Sequence, residues 1–182
     1  KFDKGLKALL ASKFPWGNTP WPYYGFMGTS LKTDGFDIDY ENFIGRYRDY
    51  ENPVAVENGG CTNSEVRGGN MIGAFESSVT LRPGESKEFT VVVGIAENKP
   101  AVRKALDSLR NINAAKREFE KTKNYWRDAI LNNIKVETPD KDFDRSVNIW
   151  IKYQVYMNNH WGRSATYQHE GWGEFGYRNT SQ

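Results

Sequence analysis

Arg163, Glu170, Trp172, Arg178, Asn179 and Gln182 fall in one non-periodic stretch, Trp161 to Gln182. Guanidinium, carboxylate and amide groups alternate there with the rings of Tyr167, Trp172, Phe175 and Tyr177 and with Gly162, Gly171, Gly173 and Gly176. A segment that only joins two elements needs a glycine or two and some solvated polar groups, so burial does not explain the mixture. Flat rings can cover the faces of a sugar, while fork-shaped donors and carboxylates bond its hydroxyls or a phosphate. The stretch therefore reads as one wall of a polar-ligand pocket, and with no capping signal after it, it is expected to belong to a longer protein.

Other chemistries find less support. His169 beside Glu170 resembles half a metal site, but His160 is the only other histidine and no zinc or iron spacing accompanies the pair, so no metal is expected. Glu170 and Glu174 lie four residues apart on a loop, which fixes no carboxylate separation of the kind a hydrolase needs. Neither a serine, histidine and acid arrangement nor a phosphate-loop glycine pattern is present. With 25 basic and 23 acidic side chains the chain carries a net charge of +2, without the basic stripe that nucleic acid or an anionic membrane would require. The single Cys61 excludes an internal disulfide and favours a reducing, cytoplasmic setting. No apolar run reaches the roughly 20 residues that span a bilayer.

The elements that must carry this wall change character along the 182 residues. Leu6, Leu9, Leu10 and Phe14 recur at helical spacing, which predicts a short helix within 3–14, ended by Pro15, Pro20 and Pro22. Trp16, Trp21, Tyr23, Tyr24 and Phe26 then form a ring-rich loop, either core anchors or a platform on which a sugar stacks. From Phe26 to Ala96 the signals are those of β-structure. Val79 to Leu81, the turn Arg82-Pro83-Gly84-Glu85, and the β-branched run Glu88 to Ile95 predict a hairpin within a sandwich whose earlier strands precede residue 1.

At Asn98 the period becomes helical: Asn98 can cap a helix with Pro100 in its first turn, followed by Val102, Leu106 and Leu109. A second helix is predicted from Asn113 to about Ile134, with Phe119, Thr122, Trp126, Ala129 and Asn133 on one stripe. A third starts at Asp140 or Asp142 and runs to about Asn159, with a buried stripe of Phe143, Val147, Trp150, Gln154, Met157 and Trp161. The expected class is α+β: part of a β-sandwich domain over 1–97, a helical linker over 98–138, and over 139–182 the first helix of an all-α domain.

Two ordered motifs give this pattern a resemblance. Trp161-Gly162-Arg163-Ser164, the glycines from Gly171 to Gly173, and Gly176-Tyr177-Arg178-Asn179-Thr180-Ser181-Gln182 are similar to the opening of the catalytic domain in glycoside hydrolase family 94, the inverting disaccharide and oligosaccharide phosphorylases. Upstream, Phe43-Ile44-Gly45-Arg46-Tyr47-Arg48 with Glu51-Asn52-Pro53 resembles an element of the same family's N-terminal sandwich. The resemblance covers nearly the whole chain and implies a β-sandwich, a helical linker and a barrel of paired helices. It implies an enzyme that cleaves β-linked glucosides with inorganic phosphate and no organic cofactor, a homodimer as the whole protein, and a general-acid aspartate downstream of Gln182.

By the same resemblance, Arg163 is the candidate phosphate contact, with an ion pair fixing the helix end as its structural alternative. Arg178, Asn179 and Gln182, with Trp172 and Glu170, are candidates for the donor sugar. Where the family usually has Gly-Phe-Arg-Asp this chain has Asn179, an amide that can donate and accept but carries no charge. An arginine that several family members place in the glycine-rich stretch is replaced here by Trp172, Gly173 and Glu174. Two other functions fit the same residues: a non-catalytic carbohydrate-binding module, and a transglycosylating domain of a cyclic glucan synthase.

Overall fold

The computed structural model describes residues 1–13 and 22–161, with side chains described as far as residue 157. The chain divides into two compact units, Lys1–Arg117 and Glu118–Gln182.

The first unit begins with strands, not a helix. Strands β1 (Phe2–Asp3) and β2 (Ala8–Ser12) pair antiparallel, Phe2 opposite Leu9. The Asp3 carboxylate accepts from the Leu6 amide at 3.0 Å, and Lys7 takes a left-handed φ of 49° to close the turn. Ala8, Leu9 and Leu10 are all buried. A strand covered on both faces reads as a continuous apolar run, which sequence spacing cannot separate from a helix. This is why the helix expected within 3–14 does not form.

Strand β3 (Tyr24–Thr29) continues the sheet, so Tyr24 and Phe26 belong to a strand and not to the ring-rich loop. Trp16 and Trp21 lie outside the described residues. Strands β4 (Gly35–Asp39) and β5 (Met71–Glu76) form a separate antiparallel pair with an irregularity between Asp37 and Asp39. Two short helices, α1 (Tyr40–Ile44) and α2 (Val54–Glu57), lie within the stretch whose signals were those of β-structure.

Strand β6 (Val91–Ala96) completes the first sheet by pairing with β3, giving the order β1-β2-β3-β6. The predicted hairpin between 79–81 and 88–95 is therefore corrected. The Pro83-Gly84 turn is present, closed by the Glu85 amide on the Arg82 carbonyl at 2.9 Å. Its first arm is not a strand, because Val79 and Leu81 are exposed and gain no cover there. The β6 backbone is taken by β3 instead, where Gly94 stands opposite Phe26 and the ring lies over the missing side chain.

Helix α3 (Lys99–Leu109) forms as the sequence predicts: Asn98 accepts from the Ala101 amide at 2.9 Å and Pro100 sits in the first turn. Val102 and Leu106 are fully buried against Leu6, Ala8, Leu10, Phe26 and Val92, making the core between helix and sheet. On the opposite sheet face, Leu9 and Met27 approach Gly73 of β5, and Phe2 stacks on Phe36 with ring centroids 4.6 Å apart. Helix, four-stranded sheet and two-stranded sheet thus form layers.

Helix α4 (Ile112–Tyr125), whose residues from Glu118 on belong to the second unit, passes into a π-helical stretch, Trp126–Leu131. Helix α5 (Lys141–Arg145) opens with Asp140 as its cap, accepting from the amides of Asp142 and Phe143, and continues through a π-helical stretch, Ser146–Ile151, into α6 (Lys152–Trp161). The cap was expected at Asp140 or Asp142. The predicted stripes are not buried as drawn. Phe119, Phe143 and Trp150 are exposed, while Trp126, Val147, Gln154 and Met157 are half-buried. The π-helical turns add residues to each stretch, so a stripe written for a period of 3.6 residues drifts off the covered face.

Candidate functional site

The Arg163, Glu170, Trp172, Arg178, Asn179 and Gln182 cluster lies outside the described residues. The structure describes the helices that precede it in the chain. Helix α6 runs to Trp161, directly into the Gly162-Arg163-Ser164 element.

That helix is held firmly at its start. The Asn148 amide donates to the Val136 carbonyl at 2.7 Å and accepts from the Val136 N–H at 2.9 Å, tying the connection to the helix by both backbone groups of one residue. Asp144 accepts from the Thr138 amide and hydroxyl at 2.8 and 2.9 Å. Burial would raise the Asp144 carboxyl, but the Thr138 and Lys141 donors outweigh it and hold it below the ordinary value. Lys152 donates to the Leu131 carbonyl at 2.7 Å and also to the Ile134 carbonyl, capping the end of the preceding helix with a cation where the helix dipole favours one. Rings lock the two helices together: Trp126 lies 4.8 Å from Tyr156 and 5.8 Å from Tyr153, centroid to centroid, and the Tyr125 and Tyr156 hydroxyls are 3.2 Å apart.

The first unit carries the upstream motif. Ile44 is fully buried and ends α1, whose first turn is capped by Asp39. Gly45, at φ 95°, turns the chain away while its N–H bonds the Glu41 carbonyl. Arg48 reaches back to the Asn52 carbonyl at 3.3 Å and to the Glu57 carboxylate, so the motif's second arginine braces the turn. Arg46 and Tyr47 point outward and are exposed.

Beside this element Asp37 is fully buried, and its carboxylate accepts from the Thr62 amide at 3.0 Å, the Ser64 amide at 2.8 Å, and the Thr62 and Ser64 hydroxyls at 2.8 and 2.6 Å. Burial pushes its carboxyl up, yet these donors outweigh burial and hold it below the ordinary value. Burial, with the Asp37 and Glu76 carboxylates nearby, pushes the Cys61 thiol up to about 11, which removes it as a nucleophile near neutral pH. Sequence reasoning missed Asp37, whose partners Thr62 and Ser64 lie far along the chain, and named Arg48 in the upstream motif without giving it a role.

Among the described residues an open cleft of about 490 Å³ is lined by Ser12, Tyr24, Glu65, Arg67 and Met71 among others. Among the described residues no group of three or more histidine, cysteine or acidic side chains could hold a metal, and no helix is long and apolar enough to cross a membrane.

A layered β unit is thus followed along the chain by a ring-locked helical pair. Residues 1–112 match the glycosyl hydrolase 94 supersandwich domain and residues 125–182 match the glycosyl hydrolase 94 superfamily catalytic domain. The chain belongs to glycoside hydrolase family 94. It is 33% identical to an N,N'-diacetylchitobiose phosphorylase of Vibrio proteolyticus over 86% of its own length and 19% of that protein's. It is 30% identical to a 3-O-beta-D-glucopyranosyl-beta-D-glucuronide phosphorylase of Paenibacillus borealis, covering 92% of this chain and 22% of the relative. It is also 30% identical, across 100% of the chain and 6% of the relative, to the cyclic beta-(1,2)-glucan synthase NdvB of Rhizobium meliloti (strain 1021). The chain thus spans about a fifth of the length of these phosphorylases.

Proposed function

We propose that the protein carrying this chain is an inverting glycoside phosphorylase, which cleaves β-linked glucosides or oligoglucans with inorganic phosphate and releases a sugar 1-phosphate. The observation that carries this reading is the match to both domains of one family, in order, with the Trp161-Gly162-Arg163-Ser164 element following the catalytic domain's entry helix. In such a reaction one carboxylic acid protonates the glycosidic oxygen while phosphate attacks the anomeric carbon from the opposite face, so phosphate replaces both the water and the base of an inverting hydrolase. Arg163 holds the phosphate by a bidentate grip, and Arg178, Asn179 and Gln182, with Trp172 and Glu170, bind the donor sugar. The general acid lies in sequence beyond Gln182. Residues 1–97 serve as sandwich, 98–138 as linker and 139–182 as barrel entry, and the whole protein pairs as a homodimer without an organic cofactor.

The test is phosphate-dependent release of sugar 1-phosphate from β-linked disaccharides by the full-length protein, with Arg163→Ala raising the KM for phosphate. Reducing ends appearing equally fast without phosphate would refute the assignment. A second reading, transglycosylation, draws on the alignment of the entire chain with the cyclic glucan synthase. It predicts cyclic or elongated glucans with phosphate omitted.

A further inference from the structure

Strand β6 is apolar at every position, Val91-Val92-Val93-Gly94-Ile95-Ala96, yet helix α3 covers only one of its faces. Val92 is buried beneath the helix, whereas Val91, Val93 and Ile95 on the other face are 50%, 73% and 70% exposed. A strand that is apolar on both faces is one built to be covered on both. The layer that could cover the second face stops short of it. Phe36 of β4 stacks on Phe2 of β1, and Gly73 of β5 lies against Leu9 of β2 and Met27 of β3, so the second sheet sits over β1, β2 and β3. Among the described residues no third strand follows β5 to lie over β6.

The two edges of that short sheet differ. Beyond β4 the loop at Thr62 to Ser64 is already bonded on: the Ile38 amide donates to the Ser64 carbonyl at 3.0 Å, and the Asp37 carboxylate accepts from the Thr62 and Ser64 amides. Beyond β5 no backbone partner is present among the described residues, and the strand opens with Met71, 58% exposed. Open amides and carbonyls beside an uncovered apolar stripe are what an added strand requires. A strand joined to this edge would lie about 4.8 Å beyond β5, which carries it over β6.

We propose that the free edge of β5 and the Val91, Val93 and Ile95 face of β6 together receive a strand from the protein's own polypeptide outside residues 1–182. That strand pairs with β5 through its backbone and packs alternate apolar side chains onto β6. The chain spans about a fifth of the length of its phosphorylase relatives, so such polypeptide is available in the same molecule, where tethering raises its effective concentration. A second copy of the chain fits less well. Antiparallel pairing of β5 with its twin, about a two-fold axis normal to the sheets, would drive the two four-stranded sheets into the same space, because the first sheet already extends past β5 to β6.

Two measurements on the full-length protein test this. In hydrogen exchange an edge strand leaves alternate amides open, whereas a strand paired on both sides protects nearly all of them, so the peptide covering Met71–Glu76 should be protected throughout. Val93→Cys should react with a maleimide at least about tenfold more slowly than Val56→Cys, whose position on α2 is 66% exposed, each rate being read at its own peptide by mass spectrometry. Alternate amides of β5 exchanging like unstructured chain would overturn the proposal, as would equal labelling of the two cysteines. So would protection and slow labelling that are both lost on dilution from dimer to monomer, since a second copy would then be the occupant. Neither measurement involves turnover, so absence of phosphate-dependent cleavage would refute the phosphorylase assignment and leave this result standing.

Discussion

Replacing Asp37 should loosen the loop that crosses strand β4. Its carboxylate is fully buried and accepts from two backbone amides and two hydroxyls of Thr62 and Ser64, while the Ser64 carbonyl in turn accepts from the Ile38 amide at 3.0 Å. In Asp37→Ala the two hydroxyls can rotate to other acceptors, but the amides are fixed by the backbone. Both amides are only part-buried, so each left unpaired costs about 1 kcal/mol and the expected loss is about 2 kcal/mol. Asp37→Asn keeps an acceptor in place but loses the charge that strengthens the bonds, for an expected loss of about 1–2 kcal/mol. Urea unfolding monitored by tryptophan fluorescence measures both. Asp37 titrates below its unfolded value, so its contribution is complete above about pH 4 and disappears as pH falls through the lower folded-state value. The gap between wild type and Asp37→Asn should therefore narrow on acidification. An alanine variant within about 0.5 kcal/mol of wild type, or a gap that widens in acid, would refute the account.

Three further outcomes are expected. Asn98→Ala removes the acceptor of the Ala101 amide and should cost about 1 kcal/mol, read from the shift in urea midpoint. Gly94→Ala would place a methyl 2.8 Å from the buried Phe26 ring and should destabilise by about 1–3 kcal/mol, measured by thermal unfolding. Cys61, its thiol pushed up to about 11, should react with iodoacetamide more slowly than glutathione at pH 8 and accelerate as pH rises, which mass spectrometry would follow.

Helix α3 was legible residue by residue, because a cap, a first-turn proline and apolar residues three and four apart all act within a turn or two of chain. The strands were legible as strand material but not in their pairing. Val91 to Ile95 has the same β-branched character whether its partner is Val79 to Leu81 or Tyr24 to Thr29, and only the cover supplied by α3 and the fit of Phe26 over Gly94 select the second. The Leu6 to Leu10 run failed for a related reason: burial on both faces erases the alternation that marks a strand. Near the candidate site, Gly45 signalled a turn in the upstream motif, but nothing local revealed that Arg48 would brace it or that Tyr47 would stand exposed in a left-handed conformation. The sequence by itself determined the family, the helical cap and the chemical types gathered in the terminal stretch, since these depend on side chains within a few residues of one another. Tertiary structure alone decided which strands meet, which carboxylate is clasped and which ring is presented to solvent, because each follows from contacts between residues far apart in the chain.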